Sequence, residues 1–507
     1  MFTSQDDKQI IAHGLDTKEI EQQIKYFREG FSPSDLSGPA IIGNGIYKFS
    51  DDEVTGFIDT YLRFAEKNQV VKFVPASGAA SRMFKKLFAF KESYNESEEA
   101  YQKLTADQSE GSMFDFFKRL EQFAFYEVLK EIFATSGREL SEAHLKKSYV
   151  EILDYLLEEK GLGYGQLPKG LLKFHGNKEA AKTPVEEHMV EGCQYARSGV
   201  DQVKIHFTVS PEHQAKFEKH VNQVKNNYEK TFNCKISVSY SIQKPSTDTI
   251  AVDLDNQPFR EEDGALLFRP AGHGALLENL NDVEADIIFV KNIDNVVPDH
   301  LKAETIKFKQ VLAGVLVDRQ EKIFDYLRKL QAGHNEALVF EVATFVKENL
   351  GTRFANTPTV KDLVAILDRP IRVCGMVKSE GDPGGGPFWV KDQQGNTSLQ
   401  VVETAQIDLD DPDQMTVFNA ATHFNPVDLV CGVKDMHGNA YDLMKFRDPL
   451  TGFATQKSKN GKDLKAQELP GLWNGSMAHW NSIFVEVPVI TFNPVKAVSD
   501  LLKPQHQ

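Results

Sequence analysis

Apolar positions along the chain change their spacing several times, and each change marks an element. Ile20, Ile24 and Phe27 recur at three- and four-residue steps, as do Phe57, Tyr61 and Phe64, which predicts helices through residues 1–70. At Val70, Val71, Phe73 and Val74 the spacing tightens into a β-branched and aromatic run. Pro75 and Gly78 break that run, so a buried strand is expected to enter a glycine-containing turn. From about 84 to 163 the pattern is again helical and heavily charged. Strand-like runs return at 171–174, 204–210, 235–242, 266–270 and 286–290, with helical segments such as 211–230 between them. Residues 299–365 read as a second helical stretch, with Val311, Leu312, Val315 and Leu316 on one face, and a β-rich part follows.

Strands alternating with helices predict an α/β fold, a mostly parallel sheet with helices on both faces. Ligands of such sheets sit beyond the carboxyl ends of the strands, where loops and helix N-termini gather. PASGAAS (75–81), RPAGHG (269–274) and KNIDN (291–295) each follow or end a strand-like run, which predicts three motifs along one sheet edge. The expected organisation is a helical region at 1–70 and an α/β core at 71–298 with a helical insert at about 84–163. A second helical insert at 299–365 and a β-rich part at 366–507 complete it.

A chain of 507 residues exceeds what one small core organises, so two or three units are expected. The 58 basic and 73 acidic residues leave a formal charge of −15, which argues against nucleic acid or an anionic membrane as the main partner. A local basic pocket for phosphates is compatible with that balance. Cys193, Cys234, Cys374 and Cys431 are scattered without metal spacing, so neither a disulfide framework nor structural zinc is expected. With no basic leader followed by an apolar stretch and no run of about 18 apolar residues, a cytoplasmic protein is expected. Nothing in the chain specifies an oligomeric state.

The chemistry-bearing residues cluster in the strand-end motifs. In PASGAASR the small residues Ala76, Ser77, Gly78 and Ala79 let main-chain N–H groups approach an anion, and Arg82 offers a bidentate fork for phosphate. A tight strand-to-helix turn with a surface arginine accounts for the segment equally well, and it is not a Walker A loop. Lys169 follows Pro168 in LPKGLLKFH, where a solvated edge charge is the plainer reading. Gly272 and Gly274 flank His273 in a loop suited to a base or ribose, or to capping a helix. Asp294 ends an apolar strand between Asn292 and Asn295, placed either to bind Mg²⁺ across phosphates or to form an Asx turn. Lys496 again follows a proline.

Taken in order, these motifs resemble the nucleotidyltransferase superfamily with a GT-A-like, Rossmann-like fold, and most closely its UDP-sugar pyrophosphorylase branch. PASGAASRM is similar to the glycine-rich loop of that family through Gly78 and Arg82. LPKGLLKFH with TPVEEHMVEG (183–192) resembles its P-K segment, and RPAGHGALLENL, preceded by Gln243, its P-G-H-G block. KNIDNV resembles the segment with the metal aspartate, VVETAQID (401–408) the sugar-contact stretch through Glu403, and FNPVKAVSDLL (492–502) the most specific motif. The whole sequence also resembles a bacterial family described as a domain of unknown function. Ala80 replaces the second glycine of the loop, Ala275 stands where aspartate is usual, and Phe492-Asn493 lacks the arginine that commonly opens the last motif.

The resemblance implies attack by a sugar 1-phosphate on the α-phosphorus of a nucleoside triphosphate, UTP favoured, with release of pyrophosphate. It assigns Arg82, Lys169 and Lys496 to catalysis and Asp294 to Mg²⁺. Ala76, Ser77, Gly78, Ala79, Gln243, Gly272, His273 and Gly274 would bind the nucleotide, and Glu403 and Asn292 the sugar. The alternatives are a regulatory protein that binds nucleotide sugars without turnover, favoured by Ala80 and Ala275, and a glycosyltransferase, which would normally carry a D-x-D motif.

Overall fold

The computed structural model describes residues 2–78, 80–176, 181–379, 381 and 385–507. The chain divides into two compact units, each assembled from distant stretches. The first holds Met1–Val70, Ser241–Val290 and Lys309–Val489, and the second holds Val71–Tyr240, Lys291–Phe308 and Ile490–Gln507.

In the second unit the run read at 70–74 is the strand Val70–Pro75, buried from Val70 through Val74. Its almost wholly apolar character, broken only by Lys72, reflects cover on both faces, the usual state of a parallel strand. It pairs in parallel with Gln202–Val209, Val74 opposite Phe207. Lys235–Ile242 and Arg197–Ser198 also pair with Gln202–Val209. Helix Pro184–Tyr195 begins with a Thr183–Glu186 capping box and a proline in its first turn, as the sequence T-P-V-E favours. It is buried all round, and it carries Glu186, Glu187, His188 and Glu191 inward. Four interior ionisable groups on one helix require partners.

The insert expected at about 84–163 is helical among its described residues, with helices from Lys85–Ser93 to Tyr149–Leu157. Its core is aromatic, with Phe84, Phe116, Phe117, Phe123, Phe125 and Phe133 fully buried, and Val495, Val498, Leu501 and Leu502 join the same core. The strand expected at 171–174 is absent. Lys169–Leu171 forms a single 3-10 turn instead, and His175 makes one isolated bridge with Lys182. Leu172 and Phe174 are buried as core side chains without a partner strand, so burial alone produced the apolar run.

In the first unit, strands lie in the order Ile41–Ile42, Gly45–Tyr47, Asn481–Glu486, Ile371–Lys378, Asp428–Gly432 and Ile287–Lys291. Ile371–Lys378 runs parallel to Asn481–Glu486 but antiparallel to Asp428–Gly432, so the parallel character is partial. Two antiparallel four-stranded sheets accompany it. One has the order Leu36–Pro39, Gly386–Lys391, Thr397–Val402, Thr352–Arg353, and the other Phe453–Lys459, Lys462–Glu468, Thr249–Val252, Phe268–Arg269. The run at 266–270 therefore yields a two-residue strand of a separate sheet, and RPAGHG leaves that sheet rather than the one containing Val70–Pro75. Residues 1–70 hold the expected helices, with Ile20, Ile24 and Phe27 buried, but also three strands of two to four residues, too short to leave a period. Val311, Leu312, Val315 and Leu316 are buried on helix Lys302–Ala332, as their spacing predicts. Among the described residues no helix is long and apolar enough to cross a membrane.

Candidate functional site

Lys169, Asp294 and the backbone preceding Lys496 converge in the second unit. The Lys169 ammonium donates to Asp294 Oδ2 at 2.7 Å and to the Val495 carbonyl at 2.7 Å. Pro168 sets the entry to the turn that carries Lys169, and Gly170 lets it lie flush against its neighbours. A Cβ on Gly170 would come within 2.8 Å of the Phe217 ring. Asp294 stands in the turn after Ile287–Lys291. That turn is fastened by Asn295 N–H to the Asn292 carbonyl at 3.2 Å and by Ile293 N–H to Pro75 O at 3.3 Å. Asn295 Oδ1 accepts from Asn493 N–H at 2.9 Å, and Val495 N–H donates to the Asp294 carbonyl at 3.2 Å. The segment that bears Lys496 is thus stapled to the segment that bears Asp294.

Arg82 belongs to the 3-10 turn Ala80–Arg82, anchored where Ala80 N–H meets Leu167 O at 3.2 Å. The side chains of Arg82 and Lys496 are exposed, while Lys169 and Asp294 are only 16% and 18% exposed. Ala76 is buried and its N–H donates to Thr208 O, Ser77 and Gly78 continue the loop, and Ala79 lies outside the described residues. Gly78 has no left-handed φ and no described atom where its Cβ would project, so the turn itself does not demand glycine there. Asn292 is half-buried beside Asp294.

Beneath this turn lies a charged network that sequence reasoning missed. Glu191 accepts from Lys72 Nζ at 2.7 Å and from Lys291 Nζ at 2.7 Å, and all three side chains are at most 1% exposed. Tyr195 Oη adds a hydrogen bond to Glu191 at 3.1 Å. Burial works to raise the Glu191 carboxyl, but the two ammonium groups outweigh it and hold the group well below the usual carboxylate range. On the same helix His188 Nε2 lies 3.2 Å from the Ile293 carbonyl, as donor to it. Burial, reinforced by Lys72, keeps that imidazole neutral by pushing it well below its ordinary value. The signal in the sequence was a lysine inside each of two apolar strand runs, VVKFV and IIFVK.

The remaining expected residues lie in the first unit. His273 Nδ1 accepts from Leu472 N–H at 2.9 Å, its ring stacks on Trp473 at 4.1 Å and 12°, and Nε2 is 3.4 Å from Glu403 Oε1. Asn474 Nδ2 donates to the same Glu403 oxygen. Asn474 holds an unusual backbone conformation, φ −112° and ψ −112°, and the fully buried Arg372 pins the loop by donating to Trp473 O at 2.6 Å. Trp473 and Asn474 were not singled out as site residues, since a tryptophan in a turn-rich stretch reads equally well as core. The glycines around His273 serve the chain itself. Gly272 has φ +76° with Glu468 Oε2 2.8 Å from its Cβ position, and a Cβ on Gly274 would meet Pro470 O at 2.2 Å. Gln243 is half-buried after Lys235–Ile242 and takes no part in these contacts. A cavity of about 450 Å³ in this unit is lined by Asn474, Gly475, Val401, Gln400, Arg369 and Asp448, among others.

Among the described residues no group of three or more His, Cys, Asp or Glu side chains could hold a metal ion. Asp294 offers one carboxylate, with Oδ1 outside the Lys169 bond. Magnesium is commonly held by one or two carboxylates with substrate phosphates and waters, so Asp294 fits an ion that arrives with its phosphates.

Among curated proteins none matches the chain. A UDP-glucose pyrophosphorylase mutant from Leishmania major in complex with UDP-glucose is 13% identical, covering 99% of this chain and 79% of that one at a TM-score of 0.44. A UDP-N-acetylglucosamine pyrophosphorylase from Trypanosoma brucei in complex with an inhibitor is 11% identical over 95% and 74%, at a TM-score of 0.46. A family profile described as "Domain of unknown function (DUF4301)" matches residues 3–507, and the chain belongs to that family.

Proposed function

We propose that this protein is a nucleotidyltransferase that joins a nucleoside triphosphate, UTP in preference, to a sugar 1-phosphate and releases pyrophosphate. The observation that carries the reading is the meeting of Lys169, Asp294 and the Lys496 segment at the turn that follows Ile287–Lys291. Those are the residues that the motif resemblance assigns to the polyphosphate.

A sugar-phosphate oxygen attacks the α-phosphorus, the new P–O bond forms, and the bond to the bridging α–β oxygen breaks. Pyrophosphate leaves with that electron pair. The nucleophile is already anionic near neutrality, so no general base is required. The protein's task is to neutralise crowded charge and align the oxygens. Exposed Lys496 is available to bridge the acceptor phosphate and the α-phosphate, and Arg82 to take the departing pyrophosphate. Lys169 exchanges part of its bond with Asp294 for the triphosphate. Bound at Asp294, Mg²⁺ would supply charge neutralisation between phosphates.

The test is pyrophosphate release over a panel of triphosphates and sugar 1-phosphates, with and without Mg²⁺. Turnover with one pair, abolished by Lys496→Ala, supports the reading. Saturable nucleotide-sugar binding with no turnover for any pair replaces it with a binding role.

A further inference from the structure

Segment 490–507 carries Lys496 yet contributes no strand to a sheet. Apart from one isolated bridge, Asn295 with Pro494, it consists of short 3-10 turns at Val489–Thr491, Val498–Leu502 and Pro504–His506. Its position therefore depends on what its side chains and a few backbone groups meet. Val495, Val498, Leu501 and Leu502 enter the aromatic core of the helical insert. Val498 N–H donates to Met83 O at 3.2 Å, next to Arg82, and Arg119 Nη2 donates to Leu502 O at 2.7 Å.

Beyond that docking lies a buried relay of four ionisable side chains. His506 Nδ1 is 2.8 Å from His175 Nε2, and His175 Nδ1 is 2.9 Å from Glu187 Oε1. Glu187 Oε2 accepts from Lys302 Nζ, which also donates to the Val297 carbonyl. All four side chains are at most 2% exposed. The order of the partners dictates the protons. Lys302 fixes Glu187 as a carboxylate, which accepts from His175 Nδ1–H. His175 Nε2 is then unprotonated and accepts from His506 Nδ1–H. Burial above all holds His506 down to about 3, so it stays neutral, with Asp500 and Lys503 as charged neighbours.

We propose that the Lys302–Glu187–His175–His506 relay is a lock that seats the end of segment 490–507 against helix Pro184–Tyr195 and thereby positions Lys496, with His175 and His506 as positioning residues. The assignment of Lys496 to the reaction rests on the nucleotidyltransferase reading; the lock itself does not. One end of the relay grips Val297, three residues beyond Asp294, and the other grips the strap ten residues beyond Lys496. The insert thus acquires a task, as the bed on which the strap is laid.

The test uses the full chain with His506→Phe, which fills similar volume but cannot donate, and His506→Asn, which restores a donor near the Nδ1 position. His175→Phe serves as a second break. Hydrogen exchange is read over 490–507, and kcat and KM are read for pyrophosphate release. In His506→Phe, exchange in 490–503 rises tenfold or more and kcat falls at least tenfold with KM for the triphosphate within about twofold. His506→Asn recovers most of both. Unchanged protection of 490–503 in His506→Phe and in His175→Phe overturns the lock, and raised exchange with normal kcat overturns the positioning of Lys496. Absence of turnover in the unmodified protein defeats the nucleotidyltransferase reading instead, and the exchange measurement still decides the lock.

Discussion

The cluster around Lys169 is held by charge, whereas the cluster around His273 is held by stacking and close backbone packing. In the first case buried ammonium and carboxylate groups fix the loops, and the side chains of Arg82 and Lys496 stay exposed. In the second the glycines are consumed by Glu468 and Pro470 of the same chain, and His273 is committed to Leu472 and Trp473. A motif match carries different weight in the two places. Where a predicted group still has unspent bonding capacity it can act on a ligand; where the fold has already used it, conformity to a motif also reflects packing.

That contrast can be broken by substitution, most severely at Glu191. Glu191→Gln leaves Lys72 and Lys291 buried without their shared anion, and the expected loss is about 3–5 kcal/mol by denaturant unfolding. A loss below about 1 kcal/mol would mean that charge does not hold these loops. Lys496→Ala should leave stability alone and cut turnover roughly a hundredfold, the scale for one charge-stabilising donor; near-normal turnover removes Lys496 from the reaction.

Acid sharpens the comparison next. His506 titrates near 6.5 when unfolded and at about 3 when folded, so the unfolded chain takes up the proton first. Its contribution is complete above about 6.5 and is lost as pH falls toward 3. Between pH 6.5 and 4.5 that amounts to roughly 2–3 kcal/mol, and His506→Asn should flatten that part of the profile in urea melts across the range. An unchanged profile in the variant refutes the assignment.

Glycine substitutions separate the two regions at the small end of the scale. Gly272→Ala forces a left-handed φ on a residue with a Cβ beside Glu468, at an expected cost of about 1–2 kcal/mol. Gly78→Ala should change the melting temperature little, because no described atom lies where its Cβ would project, and a loss of activity there with stability intact would mark a ligand contact.

Much of the fold was legible because periodicity reports burial. The strands Val70–Pro75, Gln202–Val209, Lys235–Ile242 and Ile287–Lys291 and the helical insert follow from spacing alone. Burial is also why reading failed at 171–174, where core side chains without a partner strand produce the same run. The antiparallel sense of Asp428–Gly432 was not legible, since pairing sense leaves no trace in local pattern. Lys169, Asp294 and Lys496 could be named from motifs. Lys72, Lys291 and Trp473 could not, because what distinguishes a buried lysine or a stacked tryptophan is a partner a hundred residues away or more.

The Lys72–Glu191–Lys291 network also has a bearing on salt. At 0.15 M ionic strength mobile ions screen charges in water over about 8 Å, and the reach of Arg82 and Lys496 shrinks as salt is added. Two cations walled off with a single anion are out of reach of those ions. Their hold on Glu191 therefore persists in concentrated electrolyte, where the attraction between exposed charges has faded.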